Sequence, residues 1–458
     1  MPGHSNLGSP NLGNIVKAYD IRGIVPDELD ESLARDIGAA FVRVVEADRI
    51  VTAYDMRESS PGLARAFADG ATSQGADVVE AGLGSTDLLY YASGSLGVPG
   101  AMFTASHNPA KYNGIKLCRA GAAPVGQDTG LADIRALVEA GVPAYDGPAG
   151  TISQRDVLTD YADYLVALVP GVTEIRRLSV VVDAGNGMGG LTVPVVFDRL
   201  PVELTAMYFD LDGSFPHHEA NPIEPANLVD LQAKVRATRA DIGLAFDGDA
   251  DRCFVIDEHG DVVSPSVLTA LIATRELAKE PGATVIHNLI TSRAVPDIVA
   301  EHGGVAVRTR VGHSFIKATM AETNAIFGGE HSGHFYFRDF WRADSGMLAA
   351  LHALAALGQQ ERPLSALLAE FTRYVASGEI NTRVDDQAAT MASIEAAYAG
   401  RDGVTIDHLD GLTVSLPDGS WFNVRASNTE PLLRLNVEAA DEATMSRVRD
   451  DVLGLLRG

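Results

Sequence analysis

The sequence is poor in cysteine and has neither a basic run nor a long apolar segment. Only Cys118 and Cys253 occur among its 458 residues, which excludes a disulfide framework and favours a reducing compartment. The formal charge of −25 argues against nucleic acid and anionic membranes as partners. The longest apolar stretch, Gly346–Gly358, is too short to span a bilayer. Because the N-terminus also lacks an apolar signal segment, we expect a soluble, cytoplasmic protein.

The chain is too long for one core, and its pattern predicts an α/β protein. A strand–loop–helix–strand pattern opens at Ile50, at Val180 and at Thr284, which is typical of βαβ units with mostly parallel strands. From Tyr374 onward, alternating apolar residues and a final amphipathic helix predict a smaller α+β domain. We therefore predict three similar α/β domains with mixed sheets plus the C-terminal domain, arranged around a central cleft. The predicted limits are 1–152, 153–257, 258–371 and 372–458.

Each of the three repeats is followed by an apolar strand that ends in a polar loop. These loops contain Ser106, the run Asp247–Arg252, and Glu330 with Ser332. Ligands of open α/β sheets bind outside the carboxyl ends of the strands. We therefore expect the three loops to share one site.

The run Asp247–Arg252 has the strongest chemical signal, because Asp247, Asp249 and Asp251 alternate and Arg252 follows at once. In an extended segment alternate side chains point the same way, so the three carboxylates are expected to converge. Converging carboxylates repel one another unless a cation lies between them, and hard cations such as Mg²⁺ take oxygen ligands. A cation site beside an arginine suits phosphate chemistry.

Two other readings of this run compete with a catalytic metal site. Acidic runs are most often solvated loops, but apolar segments flank this one on both sides, and burying charges there is costly. A calcium loop is also conceivable, since Glu258 is the twelfth residue counted from Asp247. Such a loop needs glycine at its sixth position and helices on both sides, whereas Arg252 and strand-like segments are found here.

Three further segments suggest phosphate and sugar chemistry less strongly. Ser106 could carry a phosphoryl group beside a metal, or it could simply form a turn. Arg425 opens a turn rich in hydroxyl and amide groups, which suits a phosphate that does not react. Glu330 and Ser332 suit hydrogen bonds to vicinal sugar hydroxyls. By contrast, Arg22, Lys116 and His313 carry no functional signal of their own.

Taken in order, four motifs resemble those of the α-D-phosphohexomutase superfamily. TASHNP at Thr104–Pro109 is similar to its phosphoserine loop, and DGDADR at Asp247–Arg252 to its magnesium loop. GEHSGH at Gly329–His334 is similar to its sugar loop, and RASNTEP at Arg425–Pro431 to its phosphate loop. The resemblance covers nearly the whole chain.

The resemblance implies a role for each matching residue. Ser106 would carry the phosphoryl group and, with the three aspartates, would ligate one Mg²⁺. Arg252 would hold the group in transfer, Lys116 would assist proton transfer, and Arg22 and His334 would line the reacting end. The implied substrate-binding residues are His313, Glu330, Ser332, Arg425, Ser427, Asn428 and Thr429.

YDIRG at Tyr19–Gly23, together with His331, resembles the phosphomannomutase/phosphoglucomutase branch. This implies a phosphomannomutase that also accepts glucose phosphates, with a hexose 1,6-bisphosphate as intermediate and activator. Small hexose phosphates are the expected partners, and a monomer or dimer is the expected state. The alternatives are a phosphoglucosamine mutase and a metal-dependent phosphohydrolase, and outside the enzymes a calcium-binding module.

Overall fold

A computed structural model describes residues 12–427 and 432–457. They form two compact units. The first contains the chain up to Ser264 together with Ser332–Ser365, and the second contains Pro265–His331 together with the chain from Ala366 onward. Among the described residues, no helix has both the length and the apolarity needed to cross a membrane.

The first unit begins with a seven-stranded mixed sheet in the order β1-β5-β4-β2-β3-β7, with β6 beside β5. Its strands are β1 (Ile21–Ile24), β2 (Arg49–Tyr54), β3 (Asp77–Leu83), β4 (Gly100–Phe103), β5 (Tyr112–Arg119), β6 (Ala123–Pro124) and β7 (Ile152–Gln154). Its helices are α1 (Leu12–Ile15), α2 (Glu31–Val44), α3 (Ser60–Ser73), α4 (Thr86–Leu96) and α5 (Leu131–Ala140). Strand β2 is parallel to β3 and β4, whereas β5 is antiparallel to β1 and β4.

A second mixed sheet of the first unit has the order β12-β11-β10-β8-β9. Its strands are β8 (Leu178–Asp183), β9 (Val202–Met207), β10 (Ile242–Phe246), β11 (Cys253–Ile256) and β12 (Val262–Val263). Its helices are α6 (Leu158–Leu168), α7 (Gly189–Phe197) and α8 (Val229–Thr238). Strand β8 is parallel to β9 and β10, and β11 returns antiparallel to β10. The loop between β10 and β11 is the aspartate run.

The third βαβ repeat lies in the second unit, where β13 is parallel to both β14 and β15. Its elements are α9 (Pro265–Lys279), β13 (Thr284–Asn288), α10 (Ala294–Glu301), β14 (Val305–Thr309), α11 (His313–Thr323) and β15 (Phe327–Gly329). The segment that follows belongs to the first unit and holds the antiparallel pair β16 (Phe335–Phe337) and β17 (Ala343–Asp344) and the buried helix α12 (Gly346–Gly358). Helix α13 (Leu364–Leu368) comes next in the chain.

The end of the chain forms an antiparallel sheet in the order β18-β23-β22-β21-β20, with β19 also beside β23. Its elements are β18 (Val375–Ala376), β19 (Ile380–Arg383), α14 (Gln387–Tyr398), β20 (Thr405–Asp407), β21 (Leu412–Ser415), β22 (Trp421–Ala426), β23 (Leu432–Ala439) and α15 (Glu442–Arg457). Both helices share a hydrophobic core with the sheet, including Ile394, Phe422 and Val452.

The predicted fold class is confirmed: three α/β domains with mixed sheets precede an antiparallel C-terminal domain. All three polar loops follow the carboxyl end of a strand, since β4 precedes Ser106, β10 precedes Asp247 and β15 precedes Glu330. Neither cysteine forms a disulfide, and both are buried. The four domain limits and the central cleft stay predictions.

Helices α2 and α3 pack against each other through glycine. A Cβ added to Gly38 would lie 2.1 Å from the carbonyl oxygen of Phe67, and one added to Gly70 would lie 1.9 Å from that of Arg35. Both neighbours are helix backbone, which cannot turn aside as a flexible side chain would. The close approach holds α3 against the sheet whose strand β4 leads to Ser106.

Asp87 joins three segments of the first unit from within its interior. Its buried carboxylate accepts hydrogen bonds from Tyr161 Oη at 2.8 Å, from Ser345 Oγ at 2.6 Å and from Ser85 Oγ. Burial raises the pKa of Asp87 to about 6, although these hydroxyl groups favour the charged form. Compared with an ordinary aspartate, the fold therefore disfavours the carboxylate of Asp87.

We expect Gly38→Ala to lower the free energy of unfolding by about 2 kcal/mol or more, because the new methyl group must push two helix backbones apart. Urea or thermal unfolding measures the change. The matched control is Gly454→Ala in α15, where nothing lies within 4 Å of the new Cβ. That variant should gain about 0.5–1 kcal/mol from helix propensity. Equal stability of Gly38→Ala and the parent would contradict the packing described here.

The pKa of Asp87 predicts a pH-dependent stability. Below the ordinary aspartate pKa the group is protonated in both the folded and the unfolded chain and costs nothing. As pH rises toward and past about 6, the folded chain must ionise a buried group that the unfolded chain ionises freely. We expect the parent to lose roughly 3 kcal/mol relative to Asp87→Asn between pH 4 and pH 7.5. Denaturant unfolding across this range tests it, and parallel curves for the two proteins would refute it.

Candidate functional site

Ser106 lies in a tight loop just beyond β4 and is almost fully buried. Its backbone is left-handed, with φ at 51°, and its amide donates to Thr104 Oγ1 at 2.9 Å. The hydroxyl group donates to Asp247 Oδ2 at 2.8 Å and lies 3.2 Å from His107 Nδ1. The predicted phosphoryl carrier therefore contacts the aspartate loop directly.

The three aspartates converge, but not by the extended geometry that their alternation suggested. The Ala250 amide donates to the Asp247 carbonyl oxygen at 3.0 Å, and Ala250 is left-handed with φ at 61°. The segment is thus a tight turn, and this turn brings carboxylate oxygens of Asp247, Asp249 and Asp251 within 4.8 Å of one another. All three side chains are buried.

Gly248 lets this turn lie directly against the serine loop. A Cβ at Gly248 would lie 2.4 Å from the carbonyl oxygen of Ser106. Its own carbonyl oxygen accepts from the Met188 amide at 2.9 Å. The loop between β8 and α7, which contains Met188, therefore supports the turn from one side, and the serine loop packs against the other.

Two cations balance the carboxylates. Lys116 Nζ lies 2.6 Å from both Asp249 Oδ2 and Asp251 Oδ2, and Arg252 Nε donates to Asp247 Oδ2 at 2.9 Å. Burial opposes the charge of Lys116, yet the two aspartates hold its pKa well above the ordinary value. Lys116 is therefore an ammonium group in this structure.

The aspartates themselves differ in pKa. Burial, with Asp251 and Asp249 alongside, raises the pKa of Asp247 to about 7 against the attraction of Arg252. Burial also works to raise the pKa of Asp249, but the attraction of Lys116 and hydrogen bonds to its carboxylate outweigh it and lower the pKa. The cluster thus carries more carboxylate than its two cations fully stabilise.

The donor set fits a hard divalent cation. Asp249 Oδ1 and Asp251 Oδ1 are buried and have no hydrogen-bond partner among the described residues. Buried carboxylate oxygens left without donors are the ligands that Mg²⁺ or Ca²⁺ takes. The calcium-loop alternative is not supported, because strands and not helices flank the turn. The carboxylate of Glu258, the twelfth residue of such a loop, accepts from the Ser365 amide at 3.0 Å.

Thr86 is a neighbour of this cluster that sequence reasoning missed. Its amide donates to the Asp249 carbonyl oxygen at 3.0 Å, and its hydroxyl group donates to Asp249 Oδ2 at 2.6 Å. Both atoms of this contact are buried. Thr86 opens α4 and thereby ties the first sheet to the metal loop. A Ser-Thr-Asp helix start gives no signal of this in the sequence.

His334 reaches the same cluster through a bridge between its backbone and that of Arg252. Its Nδ1 lies 3.0 Å from Asp344 Oδ2 and 3.7 Å from Asp251 Oδ1. Burial lowers the affinity of the ring for a proton, but the two carboxylates outweigh it and raise the pKa of His334. Asp344 was not foreseen, because it lies in β17, whereas His334 precedes β16.

Arg22 and His107 complete the reacting end. Arg22 donates from Nη1 to Asn108 Oδ1 at 2.6 Å and from Nη2 to Asp20 Oδ2 at 2.5 Å. Burial, with Arg252 and Arg22 nearby, lowers the pKa of His107 to about 2. The neutral ring therefore accepts a hydrogen bond from Arg252 Nη2 at its Nδ1.

The remaining predicted residues divide between the units. Ser332 belongs to the first unit and is half-buried. In the second unit Glu330 Oε1 accepts from the Gly312 amide at 3.2 Å, and Arg425 Nη2 donates to Glu379 Oε2 at 3.1 Å. Ser427 is buried, and its amide donates to the Leu432 carbonyl oxygen.

Three predicted residues cannot be placed in this way. Asn428 and Thr429 lie outside the described residues. For His313 only the backbone is described, where it opens α11. Their predicted roles in binding the substrate stay predictions.

Arg57 is the most telling residue that sequence reasoning missed. It is buried and donates to three carbonyl groups of the serine loop and to that of Tyr112 at the start of β5. A signal was present, because Asp55 and Arg57 follow the apolar strand β2 as Asp247 follows β10. Charged residues at the end of a buried strand deserved the same weight in both places.

Family models match the chain in four consecutive stretches. They are described as the alpha/beta/alpha domains I, II and III of phosphoglucomutase/phosphomannomutase, at residues 13–143, 159–260 and 264–374, and the C-terminal domain, at residues 379–455. A crystal structure of a phosphoglucomutase/phosphomannomutase family protein from Burkholderia thailandensis is 34% identical, with a TM-score of 0.87 over 97% of both chains.

Curated relatives match over nearly their whole length. The phosphohexose mutases of Xanthomonas campestris are 41% identical, over 96% of this chain and 99% of theirs. A phosphomannomutase of Escherichia coli is 40% identical, over 96% and 98%. A phosphoglucomutase of Neisseria gonorrhoeae is 36% identical, over 95% of both. With all four domains matched in order, and with Ser106 assembled against the Asp247–Arg252 loop in the first unit, the chain belongs to the phosphoglucomutase/phosphomannomutase family.

Proposed function

We propose that this protein is a phosphohexomutase that interconverts mannose 1-phosphate and mannose 6-phosphate, and also the corresponding glucose phosphates. The phosphoryl group passes through Ser106, and a hexose 1,6-bisphosphate is the intermediate. Support comes from family membership and from relatives named phosphomannomutase, phosphohexose mutase and phosphoglucomutase.

A single shared oxygen atom carries the proposal. Asp247 Oδ2 accepts from Ser106 Oγ at 2.8 Å and from Arg252 Nε at 2.9 Å. The hydroxyl group that would carry the phosphoryl group therefore lies beside a fixed guanidinium, the group best suited to bind phosphate oxygens in a bidentate manner. Buried surroundings strengthen this attraction.

The reaction consists of two phosphoryl transfers, and each moves a different phosphoryl group. A sugar hydroxyl oxygen attacks the phosphorus of phosphorylated Ser106, so that a bond from phosphorus to the sugar oxygen forms and the bond to Oγ breaks. The sugar hydroxyl gives up its proton to a base, and Oγ receives a proton to become a hydroxyl group again. The resulting bisphosphate turns around and returns its other phosphoryl group to Oγ by the reverse step.

The chain's own groups supply charge and proton transfer. Lys116, held as an ammonium group, stabilises negative charge that develops near the reacting oxygens. The carboxylate of Asp344 fixes the ring of His334, which places an oriented acid–base group at the same cluster. A Mg²⁺ ion held by Asp247, Asp249, Asp251 and Ser106 would neutralise further charge on the phosphoryl oxygens. Most of the catalysis is then positioning and electrostatics.

The family resemblance assigns the rest of the substrate to other loops. Glu330 and Ser332 would bind the sugar's 3- and 4-hydroxyl groups, and His313 would lie beside the sugar and phosphate. The non-reacting phosphate would bind to Arg425, Ser427, Asn428 and Thr429. Because glucose and mannose differ only at carbon 2, a site that grips hydroxyls 3 and 4 accepts both sugars.

A coupled assay with mannose 1-phosphate and with glucose 1-phosphate, each with hexose 1,6-bisphosphate and MgCl₂, tests the proposal. We expect turnover of both sugars, and we expect Ser106→Ala to lower kcat at least about 10³-fold because no phosphoryl carrier remains. The exposed serine variant Ser73→Ala is the matched control and should keep parental activity.

Two further measurements, turnover of glucosamine 6-phosphate and release of inorganic phosphate, identify the competing functions. Preference for glucosamine 6-phosphate would indicate a phosphoglucosamine mutase. Steady release of inorganic phosphate would indicate a phosphohydrolase. Near-parental turnover by Ser106→Ala would show that Ser106 does not carry the phosphoryl group.

Metal binding gives a second prediction that needs no turnover. Asp251→Asn removes one negative charge and one potential ligand from the cluster, so we expect its Kd for Mg²⁺ to rise about 10-fold or more. Isothermal titration of the sugar-free protein with MgCl₂ measures it. Asp450→Asn, at an exposed position of α15, is the control. Equal affinity of Asp251→Asn and the parent would show that the ion binds elsewhere.

A further inference from the structure

In the described part of the chain, Arg57 is one of the largest side chains that are fully buried. It lies just beyond β2, and only 1% of its side chain is exposed. Burying a guanidinium group is costly unless all its donors are satisfied. An arginine in this position therefore has to be explained by what it binds.

All five N–H donors of Arg57 have acceptors. Nε donates to Asp55 Oδ2 at 3.2 Å. Nη1 donates to the carbonyl oxygens of Pro109 and Tyr112 at 3.1 and 3.0 Å, and Nη2 to those of Ser106 and Asn108 at 2.8 and 2.7 Å. Three of the five acceptors are carbonyl groups of the loop that carries Ser106, and a fourth is the carbonyl group of Tyr112, where that loop enters β5.

The guanidinium group is itself held in place. Asp55 Oδ1 accepts from the Arg57 amide at 3.0 Å and from Ser60 Oγ at 2.6 Å, so its carboxylate is oriented from two sides. The ring of Phe215 covers the guanidinium group at 5.1 Å. At Gly213 a Cβ would lie 2.8 Å from the Arg57 Cα, so this glycine packs directly against the base of the side chain.

This arrangement acts on an unfavourable backbone conformation. Ser106 has φ at 51°, a left-handed conformation that serine adopts only when its surroundings impose it. A bond from Nη2 to the Ser106 carbonyl oxygen fixes the peptide plane that follows Ser106. Fixing this plane, together with those at Asn108 and Pro109, fixes where Oγ points.

We propose that Arg57 is a positioning residue for phosphoryl transfer, which sets the direction of Ser106 Oγ toward Asp247 by binding the carbonyl groups of the serine loop. The inference rests on the proposed role of Ser106 as the phosphoryl carrier. Arg57 acts through the loop and does not touch the substrate. Lysine cannot replace it, because one ammonium group has three donors and no planar fork.

The test compares Arg57→Lys with Arg176→Lys. Arg176 is a matched control, since it also binds a carboxylate, that of Asp241, and a carbonyl group, that of Gln360, without contacting the serine loop. Glucose 1,6-bisphosphate is added to each full-length protein with MgCl₂, and the phosphorylation of Ser106 is followed by intact mass. Steady-state kinetics with glucose 1-phosphate gives kcat and KM separately.

We expect Arg57→Lys to slow phosphorylation and to lower kcat by about 10²-fold, with KM changed less than about 3-fold, because the substrate contacts remain. Arg176→Lys should keep the parental kcat. Hydrogen–deuterium exchange over residues 104–112 should rise only in Arg57→Lys. A parental kcat in Arg57→Lys, an equal loss in Arg176→Lys, or unchanged exchange in the loop would each overturn the proposal.

A second variant and a second measurement allow the role of Arg57 to be decided in every case. If Arg57→Lys does not fold, Asp55→Asn replaces it, since loss of the carboxylate charge loosens the guanidinium and should give the same pattern with a smaller fall in kcat. If the parent itself is never phosphorylated, the proposed function fails. The exchange measurement still decides whether Arg57 fixes the loop.

Discussion

The site of the first unit depends on the balance between three buried aspartates and the cations around them. Asp247, Asp249 and Asp251 lie too close together to be stable as carboxylates by themselves, and Lys116 and Arg252 offset only part of their charge. The chain brings these cations from two places: one from strand β5 of the first sheet and one from the turn itself. Remaining oxygen atoms without donors leave the cluster suited to a divalent cation.

Two residues beside this cluster hold the aspartate loop and the serine loop in place. Thr86 holds Asp249 by two hydrogen bonds, and Arg57 holds the loop of Ser106 and the start of β5 by four. Neither residue is expected to contact a sugar. A phosphoryl group carried by serine needs its acceptor and donor oxygen atoms in line and its charge matched before the bond breaks. The rigid support that Arg57 gives to Ser106 and Thr86 gives to Asp249 would provide both the alignment and the matched charge.

Sugar specificity has a different physical basis. Relatives named phosphomannomutase and phosphoglucomutase are 40% and 36% identical to this chain, so overall similarity does not separate the two substrates. The sugars differ in the orientation of one hydroxyl group at carbon 2. If Glu330 and Ser332 bind only hydroxyls 3 and 4, nothing in their chemistry discriminates between the sugars. A preference would then have to come from contacts near carbon 2.

The sequence by itself determined the fold class, because the alternation of apolar strands and helices carries that information locally. It also located the residues proposed for metal binding and phosphoryl transfer, since Asp247–Arg252 and the loop of Ser106 are contiguous motifs. Only the tertiary structure decided which residues support them. Arg57 and Thr86 lie far from Ser106 and Asp249 in the chain, and their donors meet those loops only after the sheets have packed together. Even the convergence of the aspartates came from a left-handed turn at Ala250 rather than from their spacing, because backbone direction in a loop is set by what the loop packs against.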